Sequence, residues 1–299
     1  MNKLQIQIHE LLKHKYEAAS GRKMVTPKGL LASRNRFIFE NVSDNLYEPM
    51  SEKVSQQYRD AGGEEALEKM HSLRSSAAMT YNIFGNDTVR FAENPFVSAG
   101  EYNVCYEAVL ETVPGLKEQD RIDAVISNEK EIDFFEMKLF EPLYHKTSFA
   151  HELSSSLEDA QHYVYTDSAF PFMESIRRMR GSGIVRYDAC QMFNHALGIY
   201  NYIRKNELAV KGKKIKLINC IWTLDNPFGD EEEKLRREFD NVFFEEKTEF
   251  AKFKECMFNV INLFEKKGID FTISLVELKD LLPAMEFSEE KRSWLNRYL

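Results

Sequence analysis

The chain has 299 residues, enough for one large domain or two ordinary ones, and its 43% hydrophobic content, with 22 Phe and 13 Tyr, can fill a real core. A formal net charge of −8 argues against a protein whose hold on nucleic acid rests on bulk phosphate attraction, although a local basic patch can suffice for such a contact. Four scattered cysteines (Cys105, Cys190, Cys220, Cys256) form no Cys-x-x-Cys pair, the N-terminus is too polar for a signal peptide and no run reaches membrane-span length, so a cytoplasmic protein without a membrane partner is expected.

Lys3 to Ala19 reads as a short amphipathic helix, with Leu4, Ile8, Leu11 and Leu12 on one face and Lys and His on the other. A loop containing Gly21 and Pro27 follows. Arg34 to Val42 fits a strand or a helix. Gly62-Gly63 marks a break, which divides an N-terminal helical or irregular extension, residues 1–63, from a domain spanning 64–299. Glu64 to Phe84 has the helical period through Leu67, Met70, Leu73, Ala77 and Phe84, and Gly85 is its expected C-cap. Tyr102 to Val113 is strand-like and stops at Pro114-Gly115. The apolar runs Arg121–Ile126 and Phe134–Leu139 are the next two strands, closed by Pro142. The segment from His145 to Phe170 is polar and Ser-rich, a loop with a helix around Leu157 to Tyr165. Glu174 to Arg180 is a basic turn of helix, and Tyr187 to Arg204 is a strong helix. Lys214 to Leu224 is a strand, Phe250 to Lys266 a helix and Phe271 to Val276 a strand, with terminal helices after it. The order is α/β, with no internal repeat.

The chemistry concentrates in two runs. Asp123 sits in Arg121-Ile122-Asp123-Ala124-Val125-Ile126, and Glu136 and Lys138 sit in Phe134-Phe135-Glu136-Met137-Lys138-Leu139. Alternation along a strand points Glu136 and Lys138 the same way. If Glu129-Lys130 is a two-residue loop with Asn128 opposite Glu131, counting back along the antiparallel register sets Asp123 opposite Glu136. Directly opposed Cβ atoms lie roughly 5 Å apart. The weak point is the turn, since Glu-Lys is not the Asn-Gly type that such hairpins favour. Opposed carboxylates raise each other's pKa unless a cation intervenes. Mg²⁺ prefers such hard oxygen ligands, and it can activate water and stabilise charge on a phosphoryl oxygen. The bland alternative is that Glu-x-Lys is a cheap pattern. It recurs at Glu232/Lys234, Glu245/Lys247, Glu277/Lys279 and Glu289/Lys291, mostly as solvated charge pairs. Glu277 also follows a strand-like run, but no acid-bearing strand comes just before it.

The order helix, three strands, helix, strand between Glu64 and Leu224, with its hairpin and Glu-x-Lys, resembles the PD-(D/E)xK nuclease superfamily and its restriction-endonuclease-like fold. The superfamily pattern falls on Asp123, Glu136 and Lys138. The run Leu73-Arg74-Ser75-Ser76-Ala77-Ala78-Met79-Thr80-Tyr81-Asn82-Ile83-Phe84-Gly85 resembles the Ser-Ser…Asn-x-Phe-Gly helix of one bacterial branch of these proteins. In that branch the lysine strand continues as Lys-x-x-Glu, here Lys138 to Glu141, and a later helix carries a Gln, here Gln191. The resemblance covers pieces between Leu73 and Leu224. It implies a restriction-endonuclease-like core of a mixed central sheet flanked by helices, with extra segments at both ends. It also implies metal-dependent phosphodiester hydrolysis. Asp123, Glu136 and the Met137 backbone carbonyl would ligate Mg²⁺ or Mn²⁺, and Lys138 would position the nucleophile. An extra acid from the first helix or the first strand is often added, for which Glu107 and Glu111 share parity on the first strand; Glu111, nearer the strand end, is preferred. Ile122 stands where the pattern has Pro.

Gln191 and His195 lie four apart on one helix face and can reach the site together. His145, His151 and His162 match no zinc spacing. Arg177, Arg178 and Arg180 form the best basic patch for nucleic acid, with Lys211, Lys213, Lys214 and Lys216 a second. No Gly-rich phosphate loop is present. Two function classes follow: a nuclease, expected to act on DNA and in defence against foreign DNA, and a restriction-endonuclease-like module that no longer cuts and serves nucleic-acid binding or assembly. A homodimer or a partner protein is compatible with either.

Overall fold

The computed structural model describes residues 1–28, 36–62, 64–115, 119–144, 155–228 and 232–299. His145, His151 and Gly63 lie outside the described residues, with the rest of 145–154, and so does the start of the undecided 34–42 segment. The end of that segment takes no regular element before Val42. Ile38 makes isolated bridges to Val25 and Ser72.

The described strands form one six-stranded mixed sheet, in spatial order β1 (Thr88–Phe91), β2 (Gly100–Leu110), β3 (Asp120–Ser127), β4 (Glu131–Lys138), β5 (Lys214–Ile221) and β6 (Asp270–Glu277). β1 to β4 run antiparallel, whereas β5 and β6 lie parallel to β4. Parallel neighbours require long crossovers, and these carry helices. The β3–β4 register pairs Ala124 with Phe135 and Ser127 with Ile132, the alignment that the two-residue loop predicts. The unfavoured Glu-Lys turn is held by its flank: Asn128 Oδ1 accepts from the backbone N–H groups of Lys130 (2.8 Å) and Glu131 (3.0 Å), and Asn128 N donates to Glu131 O. A side-chain cap of this kind does the work usually left to Asn-Gly chemistry.

β4 is buried along its whole length because helices cover both faces of the sheet. One core joins Phe135 and Met137 to α1 (Lys3–Ser20), residues near Tyr58, α4 (Ser76–Phe84) and the C-terminal segment through Tyr298. The other joins Ile132 and Phe134 to the helices of the first crossover and to Phe253, Met257 and Phe264. Glu136 and Lys138 share parity with Phe134, so they face this second layer.

Several elements depart from the sequence expectation. Glu64–Phe84 is two helices, α3 (Glu64–Lys69) and α4, because the Ser-rich turn between them supplies a new N-cap: Ser75 accepts from Ala78 N at 3.0 Å. Strand β1 and helix α2 (Glu52–Gly62) were not expected. After the short α5 (Glu141–Tyr144), the expected helix at Leu157–Tyr165 is replaced by two 3₁₀ turns, and the basic helical turn is the end of α6 (Thr166–Gly181). Next come α7 (Ala189–Lys205) and α8 (Glu207–Val210). The helix expected from Phe250 begins far earlier, as α9 (Glu233–Cys256), and breaks before α10 (Phe258–Lys266). His9 does not face solvent; its ring is buried against Phe140 and Tyr144.

Candidate active site

The antiparallel ladder carried one step past Ala124–Phe135 sets Asp123 opposite Glu136, and Met137 N donates to Asp123 Oδ2 at 2.7 Å. Glu136 is almost wholly buried and both its oxygens are engaged. Oε1 lies 2.9 Å from Lys138 Nζ, and Oε2 lies 2.9 Å from His195 Nε2. Burial alone would raise the Glu136 pKa, but Lys138 and His195 hold it down at about 2. The carboxylate is therefore an acceptor and the His195 ring nitrogen donates. His195 Nδ1 finds no partner among the described residues. Burial also works against charge on Lys138, yet Glu136, Asp188 and Glu141 outweigh it and raise its pKa.

Asp123 stands in the opposite condition. Burial, then Glu136, then Glu107 push its pKa well above the carboxylate range, against the Met137 N–H and Lys138. Glu107 lies opposite Asp123 in the β2–β3 register, at the step between the Tyr106–Ala124 and Ala108–Ile122 pairs. Its backbone takes φ +51, a conformation that costs a non-glycine residue energy, and Arg121 donates to its carbonyl. Burial first, then Glu136, raise Glu107 to about 7. Three neighbouring strands thus bring Glu107, Asp123 and Glu136 side by side.

The helical layer completes the site. Asp188 caps α7, accepting from Gln191 N at 3.1 Å, and its other oxygen lies 3.6 Å from Lys138 Nζ. Gln191, one turn in, accepts from Lys138 Nζ through Oε1, and His195, a turn further on the same face, reaches Glu136. The helix can lie this close because of Gly198. A Cβ there would meet Leu110 Cβ at 2.6 Å and Leu110 backbone atoms at 3.2 and 3.3 Å.

Of the residues singled out from sequence, the structure brings Asp123, Glu136, Lys138 and Gln191 together. It does not bring Glu111 to them: that carboxylate pairs with Lys205 on α7, and Glu107 occupies the place on β2 beside Asp123. Strand parity could not separate these two acids, because the left-handed backbone at Glu107 is invisible in a residue pattern. Arg177 and Arg178 pair with Glu174, and Arg180 with Glu158. The second basic patch lies at the far end of β4, where Lys214 aligns with Glu131, and Lys216 is bound to Glu131. The rival Glu277 is taken up by Thr223, Lys247 and Lys279.

Asp188, Glu246 and Glu249 were not singled out. A signal for the last two existed: the apolar stripe Leu235, Phe239, Val242, Phe243 and Phe253 on α9 passes through both, so two acids stand at core positions of the helical period. Among the described residues no group of three Asp, Glu, His or Cys side chains is arranged to hold a metal ion. The donor set nonetheless fits a hard divalent cation in kind. Two to three carboxylates press on one another across adjacent strands, and Mg²⁺ commonly takes one or two carboxylates with water filling the rest.

A family model of restriction endonucleases matches residues 9–263. The chain belongs to that family, described as restriction endonuclease associating with ARP. Neither curated proteins nor solved structures gave a match. No described helix is long and apolar enough to cross a membrane.

Proposed function

We propose that the protein is a metal-dependent nuclease of PD-(D/E)xK type that hydrolyses phosphodiester bonds in DNA, in defence against foreign DNA. The observation that carries this reading is the hairpin register, which sets Asp123 against Glu136 with Lys138 on the same face, in a chain of a restriction-endonuclease family. Asp123, Glu136 and the Met137 carbonyl would hold Mg²⁺ or Mn²⁺, with Glu107 in place of Glu111 as the third acid. When bound, the cation supplies Lewis acidity at the phosphoryl oxygen and lowers the pKa of water. The chain's own groups do the rest. Lys138, kept charged, orients the attacking water and neutralises charge gathering on phosphorus. Gln191 holds the ammonium from the helix side. His195 fixes one Glu136 oxygen, so the carboxylate cannot swing away from the hairpin. Arg177, Arg178 and Arg180 are phosphate-backbone contacts once their local acid pairs open. The family description also suggests a partner protein, and cutting both strands would call for a second copy or such a partner.

One observation favours the alternative, a module that binds nucleic acid without cutting: both oxygens of Glu136 are already occupied by Lys138 and His195. The test is incubation of purified protein with plasmid, linear and single-stranded DNA and with RNA, with Mg²⁺, Mn²⁺ or neither, beside Asp123→Ala and Lys138→Ala. Metal-dependent cleavage abolished by both substitutions is the expected result. Cleavage that survives both removes the site assignment, and absence of both cleavage and cation binding in the parent protein supports the non-cutting module.

A further inference from the structure

Glu249, on α9, is buried and makes an unusual set of bonds. Its Oε2 accepts from three consecutive backbone N–H groups, those of Val185 (3.0 Å), Arg186 (2.6 Å) and Tyr187 (2.8 Å). Three consecutive amides directed at one point make an anion-binding concavity, and here the chain fills it with its own carboxylate. The next residue is Asp188. The segment is tied on a second side by Arg186, whose Nε donates to Glu245 Oε2 at 2.8 Å, one turn before Glu249, and whose Nη1 donates to Pro142 O at 2.7 Å, just after β4. A short span without helix or strand is thus clamped to α9 and to α5, the short helix that follows the lysine strand. Its last residue caps α7 and touches Lys138.

We propose that Glu249 is a positioning residue of the active site: by gathering the amides of residues 185–187 it sets Asp188 against Lys138 and starts α7 where Gln191 and His195 meet β4. The proposal rests on the nuclease reading for its effect on catalysis, though not for its effect on the segment. A polar group that fixes the partners of a reacting group typically changes rate by roughly 10–100-fold when removed. Glu249→Ala leaves three buried amides without an acceptor, and the span that carries Asp188 loses its anchor. Glu249→Gln keeps one acceptor oxygen and retains the greater part of function.

The test is a double-mutant cycle, read on plasmid cleavage with MgCl₂, together with amide hydrogen exchange followed by mass spectrometry of peptides spanning 183–193. Glu249→Ala is expected to lower kcat by roughly 10–100-fold with KM little changed, Glu249→Gln to restore most of it, and exchange across 183–193 to quicken in the Ala variant alone. In an Asp188→Ala background, Glu249→Ala should cost clearly less than in the parent, because part of its effect passes through the Asp188–Lys138 contact. Independent, additive losses overturn the proposal, as does unchanged exchange in Glu249→Ala. If Glu249→Ala does not fold, the decision passes to Glu249→Leu in both backgrounds, with the outcomes given for the Ala variant deciding and Glu249→Gln as its control. If the parent protein cuts nothing with Mg²⁺ or Mn²⁺, the nuclease reading fails by itself, and exchange alone decides whether Glu249 holds the segment.

Discussion

Asp123 and Glu136 are the same chemistry in two electrostatic settings, and the difference has a measurable consequence. Glu136 has two cationic or donor partners and stays ionised. Asp123 has one backbone N–H, and Glu136 and Glu107 oppose it. Its folded-state pKa is raised above the ordinary 3.8. Above that pH the unfolded chain ionises Asp123 freely while the folded chain does so at a cost, so this carboxylate destabilises the metal-free protein at neutral pH. Asp123→Asn removes the charge and keeps an oxygen to accept from Met137 N. It is expected to stabilise the metal-free protein by about 1–2 kcal/mol, a few degrees in Tm at pH 7, while cleavage is lost. Calorimetry in EDTA at pH 7 and near pH 3.5 checks this, since the gain should shrink at the lower pH. A variant that melts at or below the parent at pH 7 contradicts the charge assignment. Lys138→Ala should act in the other direction, because it strips a buried carboxylate of its cation, a change that costs roughly 3–5 kcal/mol when the charge is left uncompensated.

At the scale of elements, the site depends on how closely α7 lies on β2, and Gly198 sets that distance. Ala is the better helix former by about 1 kcal/mol, so propensity alone favours Gly198→Ala. The added Cβ would sit 2.6 Å from Leu110 Cβ and press on the Leu110 backbone, which cannot retreat without moving the strand. Overpacking of this kind costs about 1–3 kcal/mol, so a net loss of stability and a displaced helix are expected. Thermal melting and cation titration calorimetry should both report it. Equal melting temperatures for parent and Gly198→Ala would show that the helix has room to spare. Such close approaches explain what was and was not readable in the sequence. The hairpin with Asp123, Glu136 and Lys138 was legible because strand parity and loop length together fix a register, and the Asn128 cap let an unfavoured turn obey it. α7 was legible from its helical period. The choice of Glu107 over Glu111 was not, since it depends on one left-handed residue in β2. α9 was not, since its Glu and Lys density reads as a solvated surface, although Glu246 and Glu249 stand on its buried stripe. Burial raises Glu246 to about 7, and Lys138 and Arg186 offset only part of that, so this helix carries acids inward toward the site.

For the whole molecule, β4 is buried on both faces and contributes to both cores, and a titratable group braces each of its ends. At its start, Glu131 is fully buried and accepts from Ser98 N, Ser98 Oγ and Tyr102 OH, with Lys216 Nζ 3.0 Å away. Burial would raise its pKa, but these partners bring it down to about 2. Beyond its other end, His9 of α1 bonds Tyr144 and packs on Phe140. Burial, then Arg74 and Arg36, lower its pKa from 6.5 to about 3. Both shifts have the same sign. In each case the unfolded chain binds a proton that the folded chain refuses, so stability rises with pH across the interval between the two values. The His9 contribution is complete above 6.5 and is lost as pH falls toward 3, whereas the Glu131 contribution is complete above 4.5 and is lost toward 2. Acid should therefore loosen α1 from the core before it reaches the start of β4. Melting temperatures measured from pH 7.5 to pH 3 should fall in two stages, each worth up to a few kcal/mol. His9→Leu should flatten the stage between pH 6.5 and 4.5 and make the lower one shallower without abolishing it, and Glu131→Gln should leave the upper stage in place and make the lower one shallower while reducing stability at neutral pH. A single transition that neither substitution alters would mean that neither end of β4 is held in this way.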